Sequence, residues 1–176
     1  MPNLAGFART CEIFAATELV VPDKARVLSI ELVLVVMLFG SLTHVRLCWL
    51  AFQSVLDNDL FKSISVTAEQ WLPIQEVPPK FIKVFLHQKQ QEGYMLVGLE
   101  QSTNSSQLQE FPFPAKTVLV PGDEKKGIPS DVLQMLDFCV EIPQFGLVRS
   151  LNVHVSSSIL LWEYTRQSLQ HGRIRS

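Results

Sequence analysis

Ser150 and Asn152 stand where a turn (Pro143, Gln144, Phe145, Gly146) gives way to a helix within the run 142–166, IPQFGLVRSLNVHVSSSILLWEYTR. The first turn of a helix presents backbone N–H groups with no partner inside it. Polar side chains there either cap the helix, with Ser150 as N-cap and Asn152 in the first turn, or hold a ligand. Val153, Ser157, Leu160, Leu161 and Tyr164 recur at helical spacing and give this helix one buried stripe. Ser156, Ser157 and Ser158 are small enough to let another segment approach its backbone. A second stretch, 117–129, reads TVLVPGDEKKGIP. An apolar β-branched run, Gly122, an acidic pair, Lys125, Lys126, Gly127 and Pro129 make the layout of a ligand loop at the carboxyl edge of a sheet. It is neither G-x-G-x-x-G nor a phosphate-cradling P-loop. In the third stretch, 3–10, NLAGFART, Asn3 precedes Arg9 at the head of an amphipathic helix.

In this order, the three stretches resemble the three motifs of the SpoU-type (SPOUT) RNA 2'-O-ribose methyltransferases, most closely their eukaryotic tRNA-guanosine branch. The resemblance covers roughly residues 2–25 and 58–170. It implies transfer of a methyl group from S-adenosylmethionine to a ribose 2'-hydroxyl of RNA, with tRNA the expected substrate and a homodimer the expected assembly. It also implies a C-terminal trefoil knot that binds the donor, a topology rare among proteins. Such chemistry needs a bent donor, a hydroxyl in line about 3 Å away, and help with the hydroxyl proton.

On this resemblance Arg9 is the catalytic candidate. A guanidinium stays protonated, so its role is to bind phosphate and stabilise charge developing on oxygen. Asn3 is expected to position Arg9 or the substrate, and Glu124 to orient the arginine or the donor side of the pocket. Ser150 and Asn152 are expected to hydrogen-bond substrate and loop. Leu119, Gly122, Ile142 and Leu151 form the donor cradle, with Gly122 and Gly146 letting backbone approach the ligand. Lys125 and Lys126 are either solvated charges or contacts to RNA phosphate. The motifs usually carry glycine where this chain has Ala5 and Ala15; a need for positive φ at either would cost on the order of 1 kcal/mol. The motif's first strand is missing ahead of Asn3, so the chain reads as a fragment. Its alternative function is a catalytically impaired RNA-binding or scaffold piece that keeps the fold.

These residues need elements to position them. Phe7, Cys11 and Phe14 mark a helix over 7–16, and 18–21 is a short strand closed by Pro22. Leu60, Phe61 and Ile64 mark a short helix, and Gln75, Glu76 and Val77 are strand-like. A helix starting at Lys80 aligns Phe81, Val84, Phe85 and Gln88, and Gly93 ends it before the strand YMLVGLE. After a polar loop come a strand at 117–120, a helix at 130–136, a strand at 138–142 and the final helix. This alternation predicts an α/β fold, a mostly parallel sheet with helices on both faces. It forms a single domain over 1–170 with a tail at 171–176. The dense apolar run 26–55 interrupts it. We weigh an insertion or gene-model artefact, a buried helix pair, and a membrane span, the last weakened by Glu31 and by borderline length.

With 176 residues, 47% of them apolar, the chain can build one real core. Its formal net charge of −2 leaves no general basic footprint, so any grip on RNA comes from a local patch or a partner. Cys11, Cys48 and Cys139 are widely spaced and lack C-x-x-C, which supports neither disulfides nor a zinc site and fits a cytoplasmic or nuclear protein.

Overall fold

The computed structural model describes residues 2–21, 36–39, 59–122, 126–147 and 150–174. In chain order the helices are α1 (Pro2–Ile13), α2 (Asp59–Ser65), α3 (Ile82–Gln91), α4 (Ser130–Leu133) and α5 (Val153–Gln170). The strands are β1 (Glu18–Val21), β2 (Val36–Phe39), β3 (Ile74–Glu76), β4 (Met95–Leu99), β5 (Ser106–Gln107), β6 (Thr117–Pro121) and β7 (Phe138–Glu141). All seven strands join one sheet in the order β3-β1-β2-β6-β4-β7-β5.

Pairing is parallel between β1 and β3, β4 and β6, β4 and β7, and β5 and β7; β2 runs antiparallel to both β1 and β6. The sheet is therefore mostly parallel, with β1, β4 and β6 buried. Alternate residues of these three strands enter two separate cores. Leu19, Val21, Val97, Leu99 and Leu119 pack with Phe7 and Cys11 of α1, Phe61 of α2 and Leu160, Leu161 and Tyr164 of α5. Val20, Leu96, Val118 and Val120 pack with Ile82 and Leu86 of α3 and Val132 of α4. Helices thus cover both faces.

The differences from the sequence reading are local. α1 begins at Pro2, so Asn3 and Arg9 lie within the helix. β2 comes from inside the apolar run 26–55: Val36–Phe39 is a sheet strand between β1 and β6, a place that suits apolar residues. The rest of that run, with its readings as a helix pair or a span, lies outside the described residues. Among the described helices none is long and apolar enough to cross a membrane. Of the row Phe81, Val84, Phe85, Gln88, only Phe85 reaches the core, half-buried; Phe81 and Val84 are exposed, while Ile82 and Leu86 are the buried residues of α3. α4 is shorter than the expected helix over 130–136 and closes in turns at Met135 and Leu136.

Candidate functional site

β1 and β6 both run antiparallel to β2, so β1, β4, β6 and β7 point the same way. Glu100, Gly122 and Ile142 each follow such a strand and mark its carboxyl edge. α1 leads back into β1 through a short connection, which sets Asn3 and the helix start toward that edge. α5 begins there too, after the segment that follows β7.

α1 and α5 meet through one face. Asn3, Gly6, Phe7 and Thr10 recur at spacings of three and four, so they share a side of α1. Asn152 Nδ2 lies 3.5 Å from Asn3 Oδ1, and Thr10 Oγ1 lies 2.9 Å from His154 Nε2. The rings of Phe7 and His154 are 5.5 Å apart at 50°. Burial holds the His154 imidazole below the ordinary histidine range, against the opposing effect of the nearby Gly6 backbone. Leu4, Ala5, Gly6, Phe7, Ala8 and Cys11 are buried, and burial pushes the Cys11 thiol far up. Between Asn3 and Ile13 the exposed residues are Arg9, Glu12 and Ile13. A mostly buried helix therefore presents one cation near its docked end.

Asn152, not Ser150, caps α5: its Oδ1 accepts from the backbone N–H of His154 at 3.0 Å and of Val155 at 3.4 Å. Both residue types cap well. The helix starts two residues later than the Ser150-capped reading, which frees Ser150 to lie exposed. The stripe Val153, Ser157, Leu160, Leu161, Tyr164 is buried as expected. Ser158 Oγ turns back to the His154 carbonyl at 2.7 Å.

The donor-cradle residues divide. Leu119 is inside β6, paired with Val97 and Met37 and wholly buried, so the sheet holds it rather than a loop. Ile142 is partly buried against the core, and Leu151 is 37% exposed. Phe145 and Leu147 are almost fully exposed, and open space surrounds Gly146. Gly122 serves a different purpose from the expected ligand approach. A Cβ there would meet Glu100 Oε2 at 2.4 Å, and one at Gly127 (φ +66°) would meet the same oxygen at 2.7 Å. Glu100 Oε2 also accepts from the Ile128 N–H at 2.8 Å. The two glycines make room for a carboxylate that clasps the loop. Lys126 is exposed; Glu124 and Lys125 lie outside the described residues.

Sequence reasoning missed Glu100 and set His154 aside as structural. The signal for Glu100 was a charge directly after the apolar run YMLVGL, at the rim where Gly122 also sits. For His154 it was a bare glycine and a hydroxyl at positions 6 and 10 of a helix already suspected of packing nearby. Of the two alanines in glycine positions, Ala5 has ordinary helical backbone, whereas Ala15 has φ 56°. Among the described residues no group of His, Cys, Asp or Glu could hold a metal.

The profile of the SpoU rRNA Methylase family matches residues 41–162. The tRNA (guanosine(18)-2'-O)-methyltransferase TARBP1 of Mus musculus is 46% identical over 167 residues, which is 95% of this chain and 9% of that protein. The tRNA (guanosine(18)-2'-O)-methyltransferase of Saccharomyces cerevisiae is 33% identical over 96% of this chain and 10% of its own length. The chain thus spans about a tenth of those relatives. The crystal structure of the A. aeolicus TrmH/SpoU tRNA modifying enzyme superposes with a TM-score of 0.69 at 22% identity, covering 97% of this chain and 71% of that one. AviRb of Streptomyces viridochromogenes, a SpoU methyltransferase solved with AdoMet, gives 0.68 at 20% identity, over 96% of this chain and 56% of its own. These two likenesses establish a shared α/β fold. With a profile match over well over half its length and relatives aligned along nearly all of it, the chain belongs to the SpoU rRNA methylase family.

Proposed function

We propose that this chain is the catalytic part of an S-adenosylmethionine-dependent RNA 2'-O-ribose methyltransferase whose substrate is tRNA guanosine. The observation that carries the reading is the docking of α1 on the first turn of α5 through Asn3, Phe7 and Thr10, which leaves Arg9 exposed on the same helix. Family membership supports the reaction class, and the activity by which the mouse and yeast relatives are known supports the substrate. S-adenosylmethionine, when bound, supplies an electrophilic methyl group on its sulfonium.

The residues present suit that donor. The backbone of 142–147 is outside helix and strand, so its N–H and C=O groups are available to the polar edge of an adenine. Ile142 and Leu151 offer partly exposed apolar contact for its ring. Glu100 fixes the neighbouring loop at Gly122, Gly127 and Ile128. Arg9 binds the ribose-flanking phosphate and stabilises charge on the attacking oxygen. The Asn152 carboxamide oxygen is committed to the α5 cap, so its part is to build the segment that carries Ser150 and Leu151. Leu119, held inside β6, is left to support the loop that follows the strand.

The same reading includes a knotted C-terminal segment and a homodimer. On α5, Val155, Ile159, Trp162 and Leu169 are exposed at helical spacing, and Phe14 packs its ring on Trp162. This apolar stripe fits a second copy of the chain. The test of function is donor titration by calorimetry and transfer of tritium from labelled donor to tRNA. Binding lost in Asn152→Ala and Leu151→Arg, with label fixed at a ribose 2'-oxygen by the wild type, is the expected result. Wild-type protein that binds donor yet labels no tRNA under any condition would end the catalytic reading.

A further inference from the structure

We propose that His154 is a positioning residue whose imidazole couples α1, and with it Arg9, to the segment Ser150-Leu151-Asn152. This rests on the role of Arg9 proposed above. α1 is shaped around the ring. A Cβ at Gly6 would come within 2.5 Å of His154 Cε1, so only glycine leaves the space. Phe7 lays its ring 5.5 Å away, and Thr10 Oγ1 stands 2.9 Å from Nε2. The backbone of Gly6 lies directly under the ring. A neutral imidazole has one donor and one acceptor nitrogen, and Nε2 is the one paired with the Thr10 hydroxyl.

On its own helix the ring belongs to the turn that Asn152 caps, since the Asn152 carboxamide receives the His154 N–H. Thr10 is bonded directly to Arg9. A slide or rotation of α1 by one contact therefore moves the guanidinium relative to the 150–152 backbone. Dispersion alone would fill this space with leucine or methionine but would not fix the rotation of α1. A directional hydrogen bond from a planar ring seated between Gly6 and Phe7 does. His154 is half-buried and its Nε2 is engaged by Thr10, so it acts through Arg9 rather than on substrate.

The test uses the full chain with His154→Phe, which keeps an aromatic ring and removes the hydrogen bond to Thr10, Thr10→Val, which removes the hydroxyl at equal size, and Thr10→Ser, which restores it. Methyl transfer to tRNA, donor binding by calorimetry and amide hydrogen exchange are measured on each. His154→Phe and Thr10→Val should each lower kcat about 10–100-fold, the loss expected for a misplaced reacting group. Donor Kd should stay within about threefold, since the Asn152 cap that holds Leu151 binds the backbone of 154 and 155 and survives the change of side chain. The double variant should be no worse than the worse single, and Thr10→Ser should recover at least about half of the activity. Exchange should quicken over 3–10 and stay unchanged in β4 and β6. Unchanged kcat in both variants, or exchange that quickens equally in the sheet, overturns the proposal. If the wild type transfers no methyl at all, the catalytic reading fails by itself. The exchange pattern then decides alone: acceleration confined to α1 sustains the coupling, and any other pattern ends it.

Discussion

Replacing Ala15 by glycine should stabilise this protein, and the structure sets the size of the effect. α1 closes in a Schellman arrangement. The Ala16 N–H donates to the Cys11 carbonyl at 2.8 Å and the Ala15 N–H to the Glu12 carbonyl at 3.0 Å. That pair of bonds requires the residue after the cap to be left-handed, and Ala15 has φ 56°. A left-handed L-residue costs roughly 1–2 kcal/mol. Glycine removes that cost but loses about 0.4–1 kcal/mol through the greater freedom of the unfolded chain. Ala15 is exposed, so no packing is lost. The net gain for Ala15→Gly is about 0.5–1 kcal/mol. In a domain of this size it raises Tm by about 1–4 °C. Scanning calorimetry reads the shift, and urea unfolding should show a higher midpoint at unchanged slope. Ala15→Val, β-branched at the same φ, should move both the other way. Methyl transfer should be unchanged by Ala15→Gly, because Asn3, Arg9 and Thr10 lie upstream in the helix. A Tm that stays level or falls in Ala15→Gly would show that position 15 carries no left-handed strain.

Glu100→Leu leaves the Ile128 N–H without its acceptor and should cost about 1–3 kcal/mol by urea unfolding, with weaker donor binding by calorimetry; Glu100→Gln, which keeps an acceptor oxygen, should cost less than half as much. Glu18 is 3% exposed, its Oε1 has no partner, and burial pushes its carboxyl up to about 7 against the pull of Lys89. The native state then holds a proton between about pH 4.5 and 7 that the unfolded chain has released, so stability falls as pH rises across that window. Glu18→Gln should remove this slope, gaining on the order of 3 kcal/mol relative to wild type at pH 8 over pH 4 in urea midpoints. His154 has the opposite sign: its native pKa is depressed, so its contribution is present above the ordinary histidine value and lost as pH falls below it. His154→Gln should therefore flatten the acid limb that Glu18→Gln leaves in place.

The sequence carried the order of the three stretches, the alternating elements and the buried stripe of α5, because each is a local pattern with a fixed period. It also marked position 15 as a place where alanine matters, which its φ of 56° bears out, while Ala5 proved to be plain helix. What it could not carry was non-local. Glu100 meets an N–H 28 residues away, and nothing in its neighbourhood announces that partner. β2 is hidden in an apolar run whose composition suits a strand, a buried helix or a span equally well. Ser150 and Asn152 are both good caps, and only the start of the helix chooses between them. The row on α3 shows the same limit: periodicity finds two apolar faces, and the sheet decides which one is buried.

The two halves of the candidate site come from opposite sides of the sheet, which constrains how they can cooperate. Arg9, Asn3 and Asn152 belong to α1 and α5, whose core contains Leu19, Leu119 and Leu161. Ile128, where the glycine loop lands, packs in the other core with Val118, Val120 and Val132. The layers can present groups to one ligand only past the rim of the sheet, where β4, β6 and β7 end side by side. Glu100 stands on that rim, with its backbone N–H on the Val140 carbonyl and its carboxylate on Ile128, so it ties β7 to the loop after β6. His154 makes the matching tie between α1 and α5. Each layer brings its own clasp to the shared edge. The site's geometry then depends on two polar side chains outside the catalytic set, one per layer.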